Sequence, residues 1–218
     1  LAISSFWNDS LIVDEIPHIG SGYAYVKKFD YRLNPEHPPL AKALAGLPLL
    51  FLDLEQDAFR TKFWLQDVNG QWDFGRFLIF QSDNPNLITR AVKFPILIFF
   101  ILSAILIYKW TKELYSSKGS VHLAPLAAVL LFSFSPTVLA HSRFVTTDIP
   151  ALFGVILATY FFINYLQSPT RKNLWLSGLT FGIAMLTKFS TFLLVPYFLI
   201  LTLVFVFIQK PQKNSIFY

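Results

Sequence analysis

From residue 91 onward the chain runs again and again for close to twenty residues with few charges, the length an α-helix needs to cross ~30 Å of hydrocarbon at ~1.5 Å per residue. In lipid every backbone polar group has to be satisfied within its own segment, so such runs can only be helices. Composition agrees: 54% of the residues are hydrophobic and 14% charged, with a mean hydropathy of +0.51, against roughly 25% charged in an ordinary soluble domain. A soluble domain is excluded on that ground. The expected fold class is an all-α, polytopic integral membrane protein, with spans at about 91–110, 122–141, 149–166, 174–187 and 190–208.

Charge divides the chain near Arg90. Residues 1–90 carry 8 basic and 11 acidic side chains, a net charge of −3, and residues 91–218 carry 10 and 2, a net charge of +8. Cations fall in alternate connections, at Lys109, Lys112 and Lys118, at Arg171 and Lys172, and at Lys210 and Lys213. By the positive-inside rule those connections are cytoplasmic. Alternation then puts residues 1–90, the Arg143–Asp148 loop and the turn at Lys188 together on the extracytoplasmic side. Residues 1–90 read as an extracytoplasmic loop with short interfacial helices, one from Asp14 towards Phe29 and one from Pro38 or Pro39 to about Leu52, interrupted at Pro48. From Asp53 to Arg90 the chain reads as a loop with one or two short helices. Leu1 in place of Met, and an end soon after an apolar run, read as a fragment lacking a preceding helix and a C-terminal part. No signal peptide is expected, and the absence of cysteine excludes disulfides and thiolate metal sites.

The polar residues of the first loop stand out against this apolar background. Asp14 and Glu15 are adjacent, so on a helix they point about 100° apart and one can act while the other supports. Asp14 also suits a helix N-cap and Glu15 a first turn. His18 lies one turn beyond Asp14, so the two could orient each other or hold a divalent cation, the one cofactor these residues allow. Asp-Glu-x-x-His lacks the first histidine of a zinc-protease helix and contains Pro17, which argues against that chemistry. Gly20-Ser21-Gly22 lacks a preceding strand and a third glycine, and it reads as a site of close helix packing. An isolated Lys42 would by default snorkel to the headgroups. Lys188 is different, because it ends a run too short to cross the membrane and a cation at that depth needs an anion, either Asp148 or a lipid phosphate. Arg143 and Asp148 are close enough in sequence to pair with each other.

Taken together, Asp14-Glu15-x-x-His18, Gly22-Tyr23-x-Tyr25, Arg32-Leu33-Asn34-Pro35-Glu36-His37-Pro38-Pro39-Leu40-x-Lys42 and Leu47-Pro48-Leu49-Leu50 resemble the N-terminal part of the GT-C membrane glycosyltransferases of glycosyltransferase family 39. That family includes protein O-mannosyltransferases and the aminoarabinose transferases of lipid A. Arg143-x-x-Thr146-Thr147-Asp148-x-Pro150-Ala151 and Gly178-Leu179-x-x-Gly182-x-x-x-Leu186-Thr187-Lys188 are similar to it as well.

The resemblance implies a GT-C-type helix bundle that moves a sugar from a polyprenyl-phosphate donor to a protein or lipid acceptor on the extracytoplasmic face, with inversion. It implies that Asp14 and Glu15 are catalytic, that a carboxylate serves as base, and that Lys42, Arg143 and Lys188 lie near the lipid phosphate. His18, Tyr23, Arg32, Glu36, His37 and Asp148 complete the substrate-binding residues it points to. The expected location is a bacterial plasma membrane with the active site facing outward, and no nucleic-acid partner is expected. The rival class is a transporter with an outer domain, in which Lys188 and Asp148 would line a substrate or proton path. Its expected sign, broken helices repeated in two halves, is not visible in the sequence.

Overall fold

The computed structural model describes residues 2–52, 54, 56–67, 69–115 and 123–209. These form helices α1 (Ala2–Phe6), α2 (Glu15–Lys28), α3 (Leu40–Gly46), α4 (Lys62–Leu65), α5 (Gln71–Phe80), α6 (Pro85–Tyr115), α7 (Leu123–Ser133), α8 (Pro136–His141), α9 (Asp148–Gln167), α10 (Arg171–Met185) and α11 (Leu194–Gln209). Short 3-10 turns at Leu47–Phe51, Gln56–Arg60 and Phe189–Leu193 complete them, and no strand occurs among the described residues. Pro48 turns the end of α3 into a 3-10 segment, since it supplies no N–H for an α-helical bond.

Three helices have the length and apolar composition to cross a membrane: Pro85–Tyr115, Asp148–Gln167 and Phe189–Ile208. The first begins in the stretch read as loop and, at ~1.5 Å per residue, is far longer than the ~30 Å of hydrocarbon requires. The run at 122–141, expected as one bent span, is two helices instead. Ser135 adopts an extended backbone and Pro136 starts α8 as a first-turn residue, so the helix breaks between them. The expected start of that run at His122, and the cations Lys118, Lys210 and Lys213, lie outside the described residues.

Helix α2 packs on both α3 and α5, and α3 with its 3-10 extension rests on α6. The approach of α2 to α3 is close because both sides carry glycine: a Cβ added at Gly22 would stand 2.1 Å from the Lys42 carbonyl oxygen, and one at Gly46 would stand 2.3 Å from the Gly22 oxygen. Gly20 meets Gly75 of α5 in the same way, with 2.8 Å between its Cβ position and the Gly75 Cα. A continuous apolar core runs through Ile19 and Tyr23 of α2, Phe74 and Ile79 of α5, and Ile88, Val92 and Ile96 of α6 to Val145 and Ile149. A second cluster joins Ala158 of α9, Ala184 of α10 and Leu194 and Phe198 of α11, with the Phe162 and Phe198 rings stacked at 4.1 Å. Large apolar side chains on the outer faces of α6, α7 and α11 stay exposed, among them Leu131, Leu199 and Phe207. In a chain of this hydropathy such faces suit lipid contact.

Candidate active site

The first loop, the α8–α9 loop and the turn after α10 meet around a polar cavity of about 420 Å³, within the range of small-molecule sites. Its walls are Asp14, Pro17 and His18 from the start of α2, Asn34, Glu36 and His37 from the turn before α3, and Asn69, Gln71 and Trp72 from the start of α5. Thr146, Thr147 and Asp148 at the head of α9, and Lys188, close it.

Asp14 occupies the N-cap position of α2 but makes no side-chain cap hydrogen bond, and the residue is exposed at the cavity wall. The capping role that its position suggests is therefore not the one it plays. Glu15 points the other way and is fully buried. Its Oε2 accepts from the Ile12 N–H at 2.9 Å and its Oε1 from the Val145 N–H at 2.8 Å. Fully buried Lys93 of α6 brings its Nζ within 3.8 Å of the same Oε1. Burial pushes the Glu15 carboxyl above the usual carboxylate range, opposed by the Val145 N–H, the Lys93 ammonium and the Ile12 N–H. The two adjacent carboxylates are thus separated by environment, one facing the cavity and one anchoring the loop beneath it.

His18 is held by the other backbone group of the same residue: its Nδ1 lies 2.9 Å from the Val145 carbonyl oxygen. A carbonyl only accepts, so Nδ1 carries the proton, and a neutral ring then leaves Nε2 as an acceptor. Burial lowers the imidazole to about 4, with the Val145 carbonyl opposing and His37 and Lys42 adding to the shift. The His37 ring stands edge-on to it at 5.4 Å. His37 is lowered too, first by burial and then by the ammoniums of Lys42 and Lys188.

Lys188 donates to Asp148 Oδ1 at 2.7 Å, while Thr146 donates to Asp148 Oδ2 at 3.0 Å and His141 Nδ1 lies 3.5 Å from that oxygen. Of the two anions expected for Lys188, the protein itself supplies Asp148. An ammonium has three N–H groups, so this bond leaves donors for a second anion. Arg143 and Asp148 do not pair with each other, since Arg143 Nη1 instead sits 3.3 Å from Asp9 Oδ2.

Six of the residues expected from the sequence share the cavity: Asp14, His18, Glu36, His37, Asp148 and Lys188. Glu15 and Lys42 are buried outside its lining. Tyr23 belongs to the apolar core, 1% exposed and packed 5.7 Å from the Phe59 ring. Arg32 pairs with Asp30 at 3.0 Å and lies over the Trp64 ring, away from the cavity. Asn69, Gln71, Trp72 and Lys93 were not expected. Lys93 carried a signal, because a lysine inside an apolar run needs a buried anion, whereas Gln71 carried none. Among the described residues no three His, Cys, Asp or Glu side chains come together as a cation site, and Asp14 with His18 alone would supply only two ligands.

A family profile described as dolichyl-phosphate-mannose-protein mannosyltransferase matches residues 86–218. The chain belongs to this family. It is therefore a membrane glycosyltransferase of the GT-C type, with the all-α membrane fold that class requires. The match covers α6 to the end of the chain and so includes the Thr146, Thr147, Asp148 and Lys188 side of the cavity, whereas Asp14, His18, Glu36 and His37 lie before it. No curated protein and no solved structure matches the chain. Membership of this family takes the place of the transporter reading.

Proposed function

We infer that this glycosyltransferase moves a sugar from a polyprenyl-phosphate donor to a hydroxyl or amine of a protein or lipid acceptor, in one inverting displacement with Asp14 as general base. The observation that carries the reading is the cavity itself: an exposed carboxylate without a capping bond shares it with the Lys188 ammonium. Asp14 takes the proton of the acceptor group, whose heavy atom attacks the anomeric carbon from the face opposite the phosphate. The bond from that carbon to the phosphate oxygen breaks, and the leaving polyprenyl phosphate keeps the electron pair. Lys188 stabilises the departing charge with the N–H groups not given to Asp148, and His18 and His37 contact donor or acceptor as neutral rings. No step is routed through a divalent cation.

In this reading residues 1–90 face outward, the connections rich in lysine and arginine face the cytoplasm, and the membrane is a bacterial plasma membrane. The resemblance of the first-loop motifs and the family name support a polyprenyl-phosphate mannose donor and a protein acceptor. The test is transfer from a radiolabelled polyprenyl-phosphate hexose by the full-length protein in detergent. Asp14→Asn should lower kcat by about 10²–10⁴-fold with an unchanged melting temperature. Lys188→Met should weaken donor binding by about tenfold or more, as expected for loss of a hydrogen bond to a charged group. Near-normal kcat in Asp14→Asn would remove it as the base.

A further inference from the structure

Lys42 is 1% exposed, and among the described residues no carboxylate lies within ion-pair distance of it. Its Nζ reaches the Tyr25 hydroxyl at 2.9 Å, the Asn34 carbonyl at 2.6 Å, the Asn34 side-chain oxygen at 2.8 Å and the His37 carbonyl at 2.7 Å. Four acceptors exceed the three N–H groups of an ammonium and exceed the two of a neutral amine by more, so the hydrogen-bond geometry favours the charged form and works against burial. Carbonyl oxygens converging from one short turn are the kind of cage that ordinarily surrounds a bound metal cation. Burial lowers the group to about 7, and Glu36 opposes that shift.

The turn that supplies these oxygens is unusual in its own right. Asn34 sits at a φ of 52°, a conformation that costs a non-glycine residue free energy and persists only where the surroundings impose it. Asn34 Nδ2 donates to Gln71 Oε1 at 2.5 Å, and Gln71 Nε2 donates in turn to Glu36 Oε1 at 3.1 Å and Asn69 Oδ1 at 3.0 Å. Tyr25 donates its hydroxyl proton to the Leu33 carbonyl. The segment 33–37 is therefore wound around the Lys42 ammonium on one side and fastened to α5 on the other. Three cavity residues, Asn34, Glu36 and His37, stand on it.

The geometry points to Lys42 as a positioning residue: its buried ammonium is a built-in structural cation that shapes the 33–37 turn and so fixes Glu36 and His37 in the cavity wall. The snorkelling lysine expected on an interfacial helix is replaced here by one that turns inward. In its consequence for substrate binding the proposal rests on the transferase reading above, whereas the winding of the turn does not.

Two measurements on the full-length protein in detergent test it. Amide hydrogen exchange in Lys42→Met should accelerate at least tenfold within 33–37 while α5 and α6 keep their protection. In the same variant the KM for a polyprenyl-phosphate hexose should rise about tenfold with a smaller change in kcat. Addition of n-propylammonium to Lys42→Ala should restore both, whereas tetramethylammonium, which has no N–H, should restore neither. Should Lys42→Met fail to fold, Lys42→Gln keeps a donor and most of the volume and takes its place. Unchanged exchange in 33–37, or equal loosening of every helix, would overturn the proposal; so would a loosened turn with unchanged KM. A wild-type protein without transfer activity would defeat the functional reading alone, because the exchange measurement needs no turnover.

Discussion

At Glu15 a fully buried carboxylate is committed to backbone N–H groups and a lysine. With both oxygens occupied by backbone N–H groups and Lys93 at 3.8 Å, Glu15→Gln must turn an amide towards an N–H and leave a buried lysine uncompensated. Loss of one partner of a buried pair costs about 3–5 kcal/mol. We expect a detergent melting temperature well below wild type, a smaller loss of kcat than in Asp14→Asn, and recovery of part of the stability in the double variant with Lys93→Met. His18 gives a pH signature. Its imidazole is lowered in the folded protein to about 4, below the ~6.5 of an unperturbed ring, so the unfolded chain binds the proton first. Its contribution to stability is complete above pH ~6.5 and is lost as pH falls towards ~4, on the order of 3 kcal/mol. His18→Asn keeps a donor for the Val145 carbonyl and cannot titrate, so its melting temperature should fall less steeply over that interval. The residue types at these positions were legible in the sequence as a polar cluster, but their division of labour was not. Glu15 finds Val145 across 130 positions, and no local pattern records a bond of that span.

The elements around the cavity depend on contacts without side chains. Helices α2 and α3 meet at Gly22 and Gly46, where an added Cβ would fall 2.1 and 2.3 Å from backbone oxygens. Gly46→Ala should therefore force the helices apart and cost about 3 kcal/mol, read as a lowered melting temperature. Gly178→Ala, with open space around its Cβ position, should be neutral or slightly stabilising by helix propensity. The close packing read from Gly20-Ser21-Gly22 was available from the sequence because few other roles suit two glycines inside a helix. The break between α7 and α8 was only half legible: Pro136 announced a disturbance, but a proline can bend a helix or end it. Lys42 was read as snorkelling because burial of a lone lysine is rare, and the acceptors that overrule that expectation come from a turn whose shape the lysine itself sustains.

For the whole molecule, charge asymmetry still carries the topology. Single cysteines at Ser82, before α6, and Lys112, near its other end, can test it, because the chain has no cysteine of its own. An impermeant maleimide applied to intact cells should label Ser82→Cys and spare Lys112→Cys; the reverse would invert the orientation. The membrane class followed from hydropathy alone, while the cavity joins segments more than a hundred residues apart and could be expected only through topology.

One residue's backbone decides when this site can exist. The N–H and the carbonyl of Val145 are bound by Glu15 and His18, 130 and 127 positions earlier in the chain. A ribosome adds about 5–20 residues per second, so Glu15 and His18 wait about 6–26 s after their own synthesis for the residue that fixes them. Through that interval Glu15 lacks the Val145 partner that later secures it. The nascent loop is thus a candidate client for chaperones and insertion factors, and a ribosome stalled before residue 145 would leave the carboxylate pair translated but its frame unfinished.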